Sequence, residues 1–231
     1  MTIHGRHQGR GATACLSYDA CRWRAGMLRF AGDFMEKISL TYFVDFVLKA
    51  GTPKLTGVRE FKERKDELYT DFYRQVREAI VDMHRSGKPT SVLDGFLAAQ
   101  HDERRRRIYP SVVNGYRKFL ASAKMTWFEP PASTYRLGDL EINVNPELGL
   151  VIDGTPHVIK MYFRGEPLSS KRVSVVLNLL MNGLAESTPG GAFAVLDVRN
   201  AKIHTFKVPN PRLSLLLRGE AASFATIYTG L

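Results

Sequence analysis

Cysteine is scarce. Cys15 and Cys21 are the whole complement of 231 residues, which excludes a disulfide framework and a four-cysteine zinc site and fits a reducing, cytoplasmic setting. No apolar run approaches the roughly 20 residues that a membrane-spanning helix needs. Residues 1–34 lack the compact apolar centre of a secretory signal, so no membrane partner is expected. Histidines are few and scattered: of the six, at positions 4, 7, 84, 101, 157 and 204, only His4 and His7 are close, and none has metal-ligand spacing. No Gly-rich loop ends in Gly-Lys-Ser/Thr, which excludes that nucleotide-binding signature. No Gly-x-Ser-x-Gly elbow is present, which removes one serine-nucleophile class. Gly190-Gly191 precedes a strand pattern, whereas a dinucleotide loop follows one.

Acidic residues are the other shortage. Asp and Glu number 23 against 33 Lys and Arg, a net charge of +10. Such an excess favours polyanionic partners, nucleic acid first among them; solubility alone accounts for it equally well. With 44% hydrophobic and 24% charged residues, the composition is that of a globular domain with a sizeable core.

Residues 1–34 differ from the rest. They are rich in Gly and Arg, have no Lys and show no sustained period. A basic arm touching phosphates is one reading; a disordered basic tail, or upstream sequence read in frame with Met35 as the start, is the reading favoured. From Ser39, a plausible N-cap, Leu40, Phe43, Val44, Val47 and Leu48 fall at helical spacing. Gly51 and Pro53 end that helix, and a longer one is expected over about residues 58–85, with an apolar stripe through Phe61, Leu68, Phe72, Val76, Ile80 and Met83. A third helix is expected over 91–100. Pro110 suits the first turn of a fourth. Before it stand Arg104, Arg105, Arg106 and Arg107, with Lys118 beyond. Arginine offers a fork of donors to phosphate oxygens, so this run is a candidate phosphate-contacting patch; a solvated connector is the alternative.

After Trp127 the texture changes. The stretch at 127–139 reads as a Pro-rich connector, and β patterns follow. Residues 140–144 alternate strictly, 148–152 are continuously apolar, Asp153-Gly154 turns the chain, and 157–163 returns as a strand. Ser169-Ser170 introduces a helix to about residue 184. Further strands are expected at 192–198 and 202–208, then a closing helix at 213–228. The fold class is therefore α/β (α+β): a helical N-terminal layer, then a mixed sheet with a crossover helix and a C-terminal helix. The crossover makes strands 157–163 and 192–198 parallel. The expected organisation is a tail (1–34), a helical region (35–126) and a mixed-sheet core (127–231).

Within this core, Glu147 opens one strand of a hairpin and Lys160 sits in the next. The element order of about residues 110–231, with this acid and lysine, resembles the PD-(D/E)XK nuclease-like superfamily, the restriction-endonuclease fold. The resemblance implies a site in which acids hold Mg²⁺ and a lysine positions the attacking water. Carboxylates are hard oxygen ligands for such an ion, which stabilises charge growing on a phosphate. Mapped here, Glu147 is the catalytic acid and metal ligand and Lys160 the catalytic lysine. The superfamily's acid two residues before the lysine is replaced by Val158. Arg104 to Arg107, Lys118, Lys171 and Arg172 would hold the nucleic-acid backbone, the last two at the start of the crossover helix, whose N–H groups also favour phosphate. Two functions follow from the resemblance: Mg²⁺-dependent phosphodiester hydrolysis by a variant site, or a non-catalytic module on the same fold that binds nucleic acid or protein. A basic α/β domain with no nucleic-acid role is a third reading. Lys160 also has a plain structural reading, a lysine on an edge strand reaching to solvent.

Overall fold

Ser39 caps the first described helix: its Oγ accepts from Tyr42 N–H at 3.1 Å. The computed structural model describes residues 36–63, 71–205 and 210–231. Both cysteines and the 1–34 segment, on which the tail reading rests, lie outside the described residues. In chain order the elements are β1 (Glu36–Ser39), α1 (Leu40–Leu48), α2 (Thr52–Glu63), α3 (Arg74–Arg85), α4 (Val92–Ala98), α5 (Glu103–Leu120), β2 (Met125–Phe128), β3 (Ser133–Leu137), β4 (Leu140–Val144), β5 (Leu148–Ile152), β6 (Thr155–Tyr162), α6 (Ser170–Leu184), β7 (Ala192–Asp197), β8 (Lys202–Thr205) and α7 (Pro211–Gly230). Among the described residues no helix is long and apolar enough to cross a membrane.

The architecture is the expected α+β one. A five-stranded mixed sheet has the order β2-β5-β6-β7-β8. Its β5–β6 hairpin turns at Asp153-Gly154, with φ of 48° and 83°, the left-handed pair that an Asp-Gly hairpin turn requires. α6 then crosses over, and β7 lies parallel to β6. β6 is the central strand of the five, so Lys160 is not on an edge.

Period-2 alternation sends successive residues of β6 to opposite faces. Ile159 and Met161 join Leu148, Leu150, Ala194 and Leu196 under Val76, Ile80, Tyr109, Val112, Val113 and Tyr116. That core binds α3, α4 and α5 to one face of the sheet. On the other face Lys160 and Val195 meet Leu40 and Val44 of α1 and Val176 of α6. α5 approaches very closely: a Cβ added to Gly115 would lie 2.2 Å from the carbonyl oxygen of Val198. Between α3, α5 and β2, His84 hydrogen-bonds the buried Tyr116 hydroxyl at 2.5 Å and stacks on Trp127. Burial pushes the His84 pKa down.

Several expectations are corrected. Residues 58–85 do not form one helix: α2 ends at Glu63, and a turn at Asp71–Tyr73 precedes α3, where the Asp71 carboxylate accepts from Tyr73 N–H at 3.0 Å, a local bond that competes with helix. Gly51 and Pro53 separate α1 from α2, but Pro53 falls inside the first turn of α2, where its missing N–H costs nothing. Pro110 is interior to α5, which begins at Glu103 under an Asp102 cap (Arg105 N–H to Oδ1, 2.7 Å). The arginine run is therefore helix and not connector. The 127–139 stretch holds the end of β2 and the whole of β3. β3 pairs with β4 in a second, three-stranded sheet of order β1-β4-β3, with β1 parallel to β4. Leu140–Val144 thus belongs to a different sheet from the hairpin that follows it. Ser133 ties this sheet to α6 by donating to the Gly183 carbonyl at 2.8 Å.

Candidate functional site

The chain enters β5 through Asn145-Pro146-Glu147. Glu147 N–H donates to the Ile159 carbonyl at 3.1 Å, which fixes its backbone beside β6. Its carboxylate folds onto the same strand. Oε2 accepts from Met161 N–H at 2.8 Å, and Oε1 accepts from Lys160 Nζ at 2.5 Å. Lys160 also donates to the Asn145 carbonyl at 3.0 Å. Both side chains are only 11% exposed. The acid and the lysine singled out in the sequence thus meet, across two strands, as a buried ion pair with both carboxylate oxygens engaged.

The surroundings are mostly apolar. A cavity of about 40 Å³ beside Lys160 is lined by Leu40, Thr41, Val44, Leu168, Val176 and Val195, with Tyr162 and Arg172 also on its wall. This is room for about one water molecule. The residues do not fit a divalent ion. Mg²⁺ needs several hard oxygens and uses carboxylates that face it, whereas the single carboxylate here is turned onto an ammonium and a backbone N–H. Among the described residues, no three His, Cys, Asp or Glu side chains gather where they could share a metal ion. Val158 is fully buried, Asp153 is exposed in the turn, and Glu166 is exposed past the strand end.

Arg172 is not free to reach a phosphate. Its guanidinium pairs with Asp45 at 2.6 Å, and Arg164 holds the other oxygen of the same carboxylate at 2.6 Å. Asp45 was missed from the sequence. Its signal was present: it is the only charge in the otherwise apolar and neutral LTYFVDFVL of α1, and such an isolated charge needs partners. Asn145, whose carbonyl holds Lys160, carried no such signal.

The remaining basic candidates separate. Arg104 and Arg107 share one exposed face of α5 with Lys118, at spacings of three and eleven residues that bring them into line. Arg104 lies over the Phe72 ring at 4.7 Å. Arg106 is exposed on a different side of the helix. Arg105 is half-buried and lines an open cleft of about 510 Å³ with Gln75, Asp82, Phe96 and His101. Lys171 is exposed in the first turn of α6, in the layer across the sheet from α5. The seven residues therefore form no single surface. No protein-family model matches the chain, and no curated protein matches it.

Proposed function

We propose that this protein binds nucleic acid through a nuclease-like core and does not cut it. The observation that carries the reading is the closed Glu147–Lys160 pair. It occupies the hairpin position where the resemblance would put metal and nucleophile, yet its charges neutralise each other and the cavity beside Lys160 is mostly apolar. The order β5, β6, α6, β7 supports the nuclease-like assignment, and the cationic face of α5 supports a polyanionic partner. A scarcity of cysteine agrees with a cytoplasmic location. The second reading, a Mg²⁺-dependent nuclease with a variant site, draws on the same contact: an acid and a lysine on adjacent strands, 2.5 Å apart, separable if substrate and metal displaced the lysine.

The test is incubation with supercoiled plasmid and single-stranded DNA, with and without Mg²⁺ or Mn²⁺, for the native protein and Lys160→Ala. Salt-sensitive binding without cleavage is expected. Metal-dependent cleavage that disappears in Lys160→Ala would establish the second reading instead. Absence of binding at low salt would remove both and leave a basic domain with some other task.

A further inference from the structure

Resting on that reading, we infer that the outer face of α5 is the docking surface for the phosphate backbone of a duplex, and that a duplex held there is kept away from the Glu147–Lys160 pair. The face consists of Arg104, Arg107, Ser111, Asn114 and Lys118, spaced three, four, three and four residues apart and all exposed. That spacing is the line of one helical face. At a rise of about 1.5 Å per residue the line runs for about 21 Å. Glu103 borders its start, but no carboxylate among the described residues pairs with Arg104, Arg107 or Lys118, whereas Arg117, one position off the line, is tied to Asp94 at 2.8 Å and to the Thr90 carbonyl at 3.1 Å. Three exposed cations without a carboxylate partner, one of them (Arg104) lying over the Phe72 ring, together with two short hydrogen-bonding side chains are a chemistry for phosphate oxygens.

Three alternatives fit less well. Single strands are held by exposed aromatic rings on which bases stack, and the aromatics of α5, Tyr109, Tyr116 and Phe119, are all buried. A membrane surface is engaged by an amphipathic helix that inserts its apolar face, but the apolar face of α5 is spent on the core, with Val112, Val113 and Tyr116 fully buried. A protein partner would need an apolar centre to the patch, which this face lacks. A duplex presents about one charge per 1.7 Å of axis, dense enough to meet all three cations along one helix.

The placement also separates binding from chemistry. α5 covers the sheet face of Ile159 and Met161, while Lys160 projects into the opposite layer under α1 and α6. A backbone lying along α5 is thus divided from Lys160 by the sheet itself.

The experiment is fluorescence anisotropy with a labelled mixed-sequence duplex of about 25 base pairs, the matching single strand, and vesicles of phosphatidylcholine with phosphatidylglycerol, across 50–300 mM salt. The variants are Arg107→Ser/Lys118→Ser and Lys171→Ser, each checked for native circular dichroism. Two lost phosphate contacts lower the slope of log K against log salt by about 2, and lower affinity roughly fiftyfold at 0.1 M salt. Lys171→Ser, on the other layer, is expected to bind as the native protein does. If the native protein binds duplex and the α5 double variant binds equally well, the inference fails while the nucleic-acid reading stands. Tighter binding of the single strand, or of vesicles, than of duplex also overturns it. If the native protein binds no nucleic acid even at 50 mM salt, the broader reading fails.

Discussion

Replacing Lys160 by methionine isolates the energetic role of the buried pair. The substitution keeps an unbranched side chain of similar length in the cavity between α1, α6 and β7 but removes the ammonium. Glu147, 11% exposed, is then a buried carboxylate whose one remaining partner is the Met161 N–H. Breaking a buried pair in this way costs about 3–5 kcal/mol, because the surviving charge stays desolvated without its counter-charge. That is a large part of the ~5–15 kcal/mol by which a domain is stable. With an m-value of about 3 kcal/mol per molar urea, suited to a domain of this size, the unfolding midpoint should fall by roughly 1–1.7 M. Adding Glu147→Gln should restore most of the loss, since Gln retains an acceptor for the Met161 N–H and carries no charge to desolvate; replacement of both members of such a pair is often close to neutral. Urea titrations of the native protein, both single variants and the double variant give the coupling directly. A Lys160→Met variant within about 1 kcal/mol of the native protein would refute the reasoning: the pair would then be well solvated, and the carboxylate accessible enough to take a metal after all.

Three further predictions concern packing, helix propensity and pH. At Gly115 a Cβ would meet the backbone of Val198 and Arg199, with oxygens at 2.2 and 2.7 Å; Gly115→Ala should therefore destabilise by at least about 1–3 kcal/mol, read as a lower thermal midpoint. Gly219, in α7, has nothing within 4 Å of such a Cβ, and Gly219→Ala should raise stability by about 0.5–1 kcal/mol. His84 has its pKa lowered by burial, so below its ordinary pKa of about 6.5 the unfolded chain binds a proton that the folded chain resists. Its contribution to stability is complete above that pH and is lost as pH falls below it. Thermal midpoints from pH 7.5 to 5 should fall less steeply in His84→Gln, and an unchanged pH slope would count against this role.

Much of the central sheet was legible because its signals are local. Asp153-Gly154 fixed the hairpin, Ser169 the start of α6, and continuous apolar runs the buried strands β5 and β7. The failures are tertiary. β1 and β3 are short strands whose partner is β4, and nothing within EKIS or STYRL states that a distant strand will complete them. Pro110 reads as a helix start by local rules; inside α5 the packing of Tyr109, Val112 and Val113 outweighs the lost hydrogen bond. For the site, the meeting of Glu147 and Lys160 followed from the hairpin register. What the pair does depends on whether other acids converge, and that is set by how α1 and α6 lie over β6. The arginine run illustrates the same limit: four consecutive residues on a helix cannot share a face, so only Arg104 and Arg107 align with Lys118.

β1 also determines when the fold can close. Glu36 pairs with Leu140, and Ser39 with Asn143; α1 rests on α6, and Lys54 of α2 bonds Glu220 of α7. The earliest described part of the chain is thus held by some of the last, across more than a hundred residues. During synthesis the apolar segment LTYFVDFVL emerges long before β4, α6 and α7, against which it packs in the finished fold. Contacts of this separation form slowly, since loop closure precedes their reward. The native fold therefore carries an interval, set by translation, in which α1 is a target for chaperones or for another nascent copy.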